Sequence, residues 1–457
     1  MQATSNATGL GRWMPVRWQI AAALCLVTTI NYIDRAALAI AAPFMMPELN
    51  MTNTQFGLVA SGFFWAYALG QIFSGRAVDY IGTKRAFSIA VLVWNLASAA
   101  HALSRGFLSL LSFRVILGIG EAANFPAALK AISEWFPARE RSWATGVLTM
   151  GPGLGNIIAP PLIMTLIFFF GWRWAFVVSG AIGIAWLLVW KHVYYSVEDH
   201  PRISEDERRM ILDERAREAV ESVAQGHAED APRPSWLSFL RYREMWGLML
   251  SRFIGDGAFY FFVTFLPLYL VSERGMNPAI EGVGGATSFE ATLVVAYVLG
   301  TMVPFLGADA GSFAGGWCGK KLMDRGMSLN AARKTMIWTG ALLVLPVTLG
   351  ALVVESTVMA VALITLALFA IQVNAANLFV LPADLFQSRD VATVWGIFGA
   401  LGSVGGALFA ILAGWLIDNV SWASVFVIVA LMRLVAAGFV QVFIPRVERL
   451  PPVAARA

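Results

Sequence analysis

Asn31-Tyr32-Ile33-Asp34-Arg35 sets an acid beside a base inside an otherwise apolar run, and a second apolar run holds Arg114 and Glu121, with Asn124 and Pro126 beyond them. An ionised side chain in hydrocarbon costs at least about 2.5 kcal/mol, so each of these groups needs a partner or a water-filled space. Arg114 and Glu121 are seven residues apart, two helical turns, and share one face. Acids and bases of the two runs are therefore expected to meet in a common polar cavity. Ion pairs that only orient helices are the plainer explanation, but buried pairs stabilise poorly, which favours a functional use. A guanidinium is a planar, permanently charged fork matched to a carboxylate, so Arg35 and Arg114 are candidates to hold an organic anion. Asp34 and Glu121 are candidates to carry protons; desolvation and the neighbouring arginines act on them in opposite senses. If protonation frees an arginine from its carboxylate, the arginine becomes available to a substrate, which couples proton to anion.

Further polar candidates lie in other apolar runs: Tyr67, Asp256, Asp309, Gln372, Asn374 and Asn377. Hydrogen bonding between helices serves Tyr67 and the amides as well as substrate contact does. Asp256 has Arg252 four residues before it, a ready partner on one helix face. Phe259 and Tyr260 could stack on a sugar ring, although packing is the commoner use of such residues. Residues that build catalytic sites are scarce. His101 and His192 fall at the ends of apolar runs, His200 and His227 in a polar segment, and none has metal-ligand spacing. Gly319-Lys320 is followed by Lys321 and preceded at the fifth position by Ala314, so no phosphate-binding G-x-x-x-x-G-K-[ST] is present. No nucleophile motif is found, and neither cofactor nor metal is expected. Cys25 and Cys318 lie in apolar surroundings and read as small hydrophobes without a disulfide. A membrane-embedded enzyme, a channel or a receptor are the rivals to a carrier.

The elements that must position these residues follow from composition. The chain has 457 residues, 58% hydrophobic and 14% charged, where soluble domains carry roughly 25% charged residues. Its mean hydropathy is +0.67. Apolar runs bounded by charge, Gly and Pro fall at 18–40, 54–78, 86–103, 107–130, 143–168 and 172–193, then at 244–271, 290–319, 335–354, 358–382, 392–416 and 421–444. Each is long enough to span a bilayer. The first is too long for a signal peptide and is expected to be retained. The expected fold is all-α: twelve transmembrane helices in two six-helix bundles, 1–195 and 244–457, joined by a polar linker at 196–243. Ser204 followed by Glu207 suggests a capping box opening an amphipathic surface helix through Val220, with no chemistry of its own.

The net charge of +4 is small, and the basic residues sit in loops, which concerns orientation and not nucleic acid. Arg12, Arg17, Lys84, Arg85, Arg139, Arg141, the linker arginines, Lys320, Lys321, Arg325, Arg333, Lys334, Arg389 and Arg446 fall on one side, against Arg105, Arg173 and Arg274 on the other. Both termini and the linker are therefore expected to be cytoplasmic. Residues 134–146 (EWFPARERSWATG) and 384–396 (DLFQSRDVATVWG) align without gaps 250 residues apart, and each enters a Gly-rich helix. Parallel repeats of this kind suit two bundles rocking about a central site.

NYIDR at 31–35, GRAVDYIGTKR at 75–85, LGIGEAANFPAALKAISEWFPARER at 117–141, the Gly171-Trp172-Arg173 turn, PFLGADAGSFAGGW at 304–317 and ANLFVLPADLF at 376–386 carry a resemblance over nearly the whole chain. The chain resembles the anion:cation symporter branch of the major facilitator superfamily, and the last two segments resemble its bacterial hexuronate transporters. That resemblance implies proton-driven uptake of a sugar acid by a monomer in a bacterial inner membrane, its partners being a small organic anion, protons and the lipid bilayer. It implies proton coupling at Asp34 and Glu121 and substrate contact at Tyr32, Arg35, Tyr67 and Arg114; Asp256, Phe259, Tyr260, Gln372 and Asn377 are further lining candidates from their residue types alone. Asp79, Lys84 and Arg85 match the gating motif, and Glu134 and Arg141 are grouped with them. Thr149-Met150-Gly151-Pro152 stands where the subgroup has a polar run, Asp256-Gly257 where it often has Asp-Pro, and the loop from Glu273 to Phe289 looks long. These departures leave the particular acid open.

Overall fold

The computed structural model describes residues 14–224, 236–276, 288–387 and 390–451. Its regular elements, all helical among the described residues, are α1 (Val16–Glu48), α2 (Asn53–Ile81), α3 (Thr83–Ala100), α4 (Phe107–Glu121), α5 (Asn124–Trp135), α6 (Ala138–Phe170), α7 (Trp172–Val193), α8 (Glu205–Ala224), α9 (Arg243–Ser272), α10 (Ser288–Asp324), α11 (Leu329–Val353), α12 (Thr357–Leu378), α13 (Leu381–Leu385), α14 (Val391–Asn419) and α15 (Trp422–Phe443), with two short 3-10 turns. Eleven stretches among them are long and apolar enough to cross a membrane, and α2, bent by 49° between Gln71 and Phe73, makes a twelfth. Interior hydrogen bonding leaves an apolar helix no polar backbone to solvate, which is why this composition yields spanning helices and little else. Consecutive spans alternate in direction. The ends bearing Val16, α8 and Phe443 form the linker side; the ends bearing Glu48, Asn53 and Ser272 form the far side.

The fourth apolar run is not one helix. α4 stops at Glu121 and α5 restarts at Asn124, so the break falls immediately after the buried acid, on the sequence that leads into Pro126. Gly82, at φ 86°, ends α2 and begins α3 in a single residue, a left-handed conformation that a side chain would strain.

The distribution of the core defines the relation of the halves. One buried cluster joins them on the far side, where Met45, Phe56, Phe265 and Phe426 pack together. A second cluster centres on Trp94, Trp135 and Trp190 of the first half and reaches the second at Ala407, and a third lies around Tyr242, Phe386 and Phe398 of the second half.

The linker helix does more than cover a surface. Ser204 Oγ accepts from Glu207 N as expected, but the Glu207 carboxylate does not complete a capping box. It accepts from Val16 N and Arg17 N at 3.1 Å each and pairs with the Arg17 guanidinium at 2.9 Å, binding α8 to the first turn of α1. Ile211 is buried against the first half. Cys25 and Cys318 are free and half-buried. Arg12, His227, Arg389 and most of the Glu273–Phe289 loop lie outside the described residues.

Candidate functional site

Arg35 and Glu121 form the centre of the first half. Arg35 Nε donates to Glu121 Oε2 at 2.7 Å, and the carboxylate is fully buried. The guanidinium lies over the rings of Tyr67 (4.6 Å), Tyr32 (5.0 Å) and Phe63 (5.1 Å), a set of cation–π contacts that fixes its plane. Tyr67 stacks in turn on Phe63 at 5.7 Å. Arg114, 4% exposed, reaches from α4 to the Arg35 carbonyl at 3.4 Å and stands 5.5 Å from the Phe63 ring. Arg35 Nη2, Arg114 Nε, Arg114 Nη1 and Glu121 Oε1 are buried with no hydrogen-bond partner. Buried polar atoms in native proteins are nearly always satisfied, so a group of donors left open on two adjacent guanidiniums points to a ligand. Two forks of this kind could take both oxygens of one carboxylate.

Asp34 departs from the expected common cavity. Next to Arg35 in sequence, it leaves α1 in another direction and accepts from Ser98 of α3 at 2.7 Å and from Ser179 of α7. Successive helical positions diverge, so one of the pair faces the cavity and the other the interior of the half. Asn124 Nδ2 donates to Thr28 Oγ1 at 3.3 Å across the break after Glu121. Asn31 is buried with neither amide atom partnered.

The cavity between the halves is lined by Tyr32, Arg35 and Arg114 from the first and by Phe259, Tyr260, Val263 and Thr264 from the second, with Asn156 of α6 at its side. Its enclosed space is about 110 Å³, partly open to solvent, smaller than the roughly 300–1,000 Å³ of most small-molecule sites. Tyr260 packs on Phe64 across the halves at 4.4 Å. The other second-half candidates lie elsewhere. Asp256 is paired with Arg252 Nε at 2.7 Å, and Arg252 is enclosed by Phe379, Phe398 and Trp395 at 4.3, 4.5 and 5.0 Å. Asn377 donates to the Gly315 and Val373 carbonyls and accepts from Arg333, so it ties α10, α11 and α12 together outside the cavity lining. Gln372, half-buried on α12, is also outside the lining.

Arg433 escaped the sequence reading. It is 1% exposed on α15 and donates to Asn374 Oδ1 at 3.2 Å. Its signal was available, an arginine alone in a span of hydropathy 2.3. The serines holding Asp34 carried no signal, because Ser98 and Ser179 look like any small polar residue in a helix.

The Major Facilitator Superfamily model matches residues 24–327 and 302–457. The chain belongs to that superfamily. Among similar proteins, the hexuronate transporter of Escherichia coli K12 is 31% identical over 425 residues, 92% of each chain. The D-galactonate transporter of Escherichia coli O6:H1 is 30% identical over 412 residues, 90% of this chain and 92% of the other. A solved bacterial homologue of the human lysosomal transporter Spinster, in an inward-facing and occupied conformation, superimposes with a TM-score of 0.71 at 19% identity, over 95% of this chain and 98% of that one.

As a major facilitator, the chain is a multi-pass membrane transporter, and its two faces differ. The far side is sealed. Asp418 at the end of α14 accepts from Asn53 N and Nδ2 at 3.1 and 2.9 Å and from Thr54 N and Oγ1 at 2.7 and 2.6 Å. It thus caps the open amides of α2 from the opposite half. A Cβ on Gly57 would come within 2.3 Å of the Ala410 carbonyl, so α2 and α14 touch backbone to backbone. Tyr297 of α10 donates to the Ile40 carbonyl at 2.9 Å.

On the linker side, Asp79, Lys84 and Glu134 are engaged on the first half and its linker. Asp79 meets Lys130 at 2.6 Å. Lys84 lies 3.5 Å over the Tyr195 ring, and Arg85 is exposed. Glu134 accepts from Thr83 at 2.7 Å and from Tyr194, and its carbonyl from Arg215 of α8. Arg141 donates to Phe136 O at 2.9 Å. Its repeat-mate region holds Arg333 to Asp384 at 2.9 Å. The hydrogen bonds named above between the halves, those of Asp418 and Tyr297, lie on the far side.

Proposed function

We propose that this chain is a secondary active transporter that moves an organic anion, a hexuronate or related sugar acid, together with protons by alternating access. The observation that carries the reading is the group of buried, unpartnered guanidinium donors on Arg35 and Arg114, two residues that line a cavity shared by both halves. In this reading the substrate carboxylate binds both guanidiniums, and Phe259 and Tyr260 face the sugar from the other half. Glu121, which holds Arg35 in the empty carrier, takes a proton when the substrate takes the arginine, so anion and proton enter together. Asp34 acts behind the cavity wall as a second proton site through Ser98 and Ser179.

The units are taken as 1–195, 196–243 and 244–457, with the linker side cytoplasmic in a bacterial inner membrane, as the excess of basic residues on that side favours. The similarity to a D-galactonate transporter keeps an aldonate as the runner-up substrate; an aldarate, an aromatic acid or an organic phosphate exchanged without a proton gradient are further possibilities within the same fold.

The test is uptake of radiolabelled galacturonate, glucuronate and galactonate into proteoliposomes under an imposed inward proton gradient, with gluconate, tartrate, phthalate and glucose as competitors. Saturable accumulation that collapses with the gradient supports the reading and names the acid. Equal uptake with and without the gradient sinks the coupling.

A further inference from the structure

Asp309 is the acid the mechanism above leaves unused. It lies near the middle of α10, 15 residues from Asp324 at the linker-side end. Among the described residues no hydrogen bond or ion pair to it is found, whereas Asp34 is held by two serines, Glu121 by Arg35 and Asp256 by Arg252. Its carboxylate faces the other half. A Cβ on Gly153 of α6 would lie 2.9 Å from Asp309 Oδ2, so the two helices meet at this level through a glycine and a carboxylate. One turn beyond Gly153 on α6 is Asn156, which lines the cavity.

Among the described residues, no counter-charge lies beside it on the elements packed around it. α6 is free of ionisable residues from Ser142 to Phe170, its charges being Arg139, Glu140 and Arg141 near its start. α12 has none. α11 carries Arg333 and Lys334 in its first turns, engaged with Asp384 and the Pro445 carbonyl. On α9, Arg252 is held by Asp256. On α10 itself, Lys320 pairs with Asp324 at 2.6 Å and Lys321 lies over Trp317.

We propose that Asp309 is a proton-loading carboxylate of the second half, which has to be neutralised before the linker side can close over it. In the present conformation Asp309 is exposed, with no protein partner among the described residues. Toward the linker side, a Cβ on Gly146 of α6 or on Gly316 of α10 would meet nothing within 4 Å, so neither position is packed. Rocking that shuts the linker side brings these parts of α6 and α10 together and withdraws water from Asp309. A bare carboxylate sealed at that depth disfavours the closed state by a factor of about 10². The substrate, an anion, cannot neutralise it, and no basic side chain is placed to do so. A proton from the far-side solution, bound to one carboxylate oxygen and released on the linker side where Asp309 meets water, completes the cycle with no covalent change in substrate. The inference rests on the proton-coupled reading above and adds a coupling site to it.

The test uses full-length protein in proteoliposomes, wild type and Asp309→Asn, with radiolabelled galacturonate, or galactonate if the uptake screen selects it. The amide is a permanently neutral isostere, so equilibrium exchange should stay within about threefold of wild type. Steady accumulation under one unit of imposed pH difference should fall about tenfold, the contribution of one proton. Unchanged accumulation overturns the proposal. So does a raised KM for hydroxylated acids with the accumulation ratio intact, which would make Asp309 a substrate ligand. Loss of exchange in both Asp309→Asn and Asp309→Glu, with thermal unfolding like wild type, would make it a packing residue and overturn it equally. A wild type that exchanges label but never accumulates it on a proton gradient defeats the coupled reading itself, and this proposal falls with it.

Discussion

Replacing Asp418 with Asn should release the far-side seal. Asp418 makes four hydrogen bonds to Asn53 and Thr54, two on each carboxylate oxygen. Asn keeps one acceptor and places an amide NH₂ against the donors of the other, so two bonds are lost and a donor faces donors. The site is exposed, and each bond is taken at the modest end, about 0.5–1 kcal/mol. Removing the charge from the start of α2 adds about 0.3–1 kcal/mol. The sum, about 2 kcal/mol, corresponds to roughly a 30-fold shift away from the far-side-closed state. The assay is a spin-label distance across that face, between cysteines at Arg105 and Glu355 in a background lacking Cys25 and Cys318. The variant should populate a longer distance at the expense of the wild-type one, and lowering pH on the wild type should do the same as Asp418 is neutralised. An unchanged distribution would refute the assignment of Asp418 as a latch and leave the apolar contacts of Met45, Phe56 and Phe265 as the seal.

Gly57→Ala should move the same equilibrium in the same direction, because its Cβ would meet the Ala410 carbonyl at 2.3 Å; accessibility of far-side cysteines to a membrane-impermeant thiol reagent checks it, and no increase counts against backbone contact as the limit on closure. Glu121→Gln should lower gradient-driven accumulation at least about tenfold while exchange persists, read in paired accumulation and counterflow assays; equal loss of both would mark Glu121 as structural. Arg114→Ala should weaken substrate binding by about 30-fold or more, from the loss of a charge-assisted pair of about 2 kcal/mol or above, measured by calorimetry in detergent, and unchanged affinity would remove its assigned role. Arg215→Ala, which cuts an exposed pair with Glu198, should change thermal stability by less than about 1 kcal/mol; a larger drop would mean that the contact with the Glu134 carbonyl holds α8 in place.

Twelve spans, the polar linker and the intramembrane charges were legible along the chain because lipid admits few ways to hide this much apolar surface, and because an ion in such a run is conspicuous. Arg35, Glu121 and Arg114 are close in the structure for the reason their residue types suggested. Asp34 is the instructive exception: its neighbour Arg35 turns to the cavity while Asp34 turns to Ser98 and Ser179, and only the rotation of α1 within its half decides which does which. Asn377 looked equivalent to a lining amide and is instead fixed to the Gly315 carbonyl, since periodicity cannot say which neighbour a helix face meets.

By itself the sequence determined a two-fold-repeated helical membrane protein with paired charges in its first half, since hydrophobic length and charge placement are local properties. The tertiary structure alone decided that Asp418 caps a helix 365 residues away, closing the far side, and that Asp309 faces Gly153 with no counter-charge among the described residues. Those facts depend on how the two halves lean on each other, and a free-energy balance between nearly equivalent packings leaves no mark on any single segment.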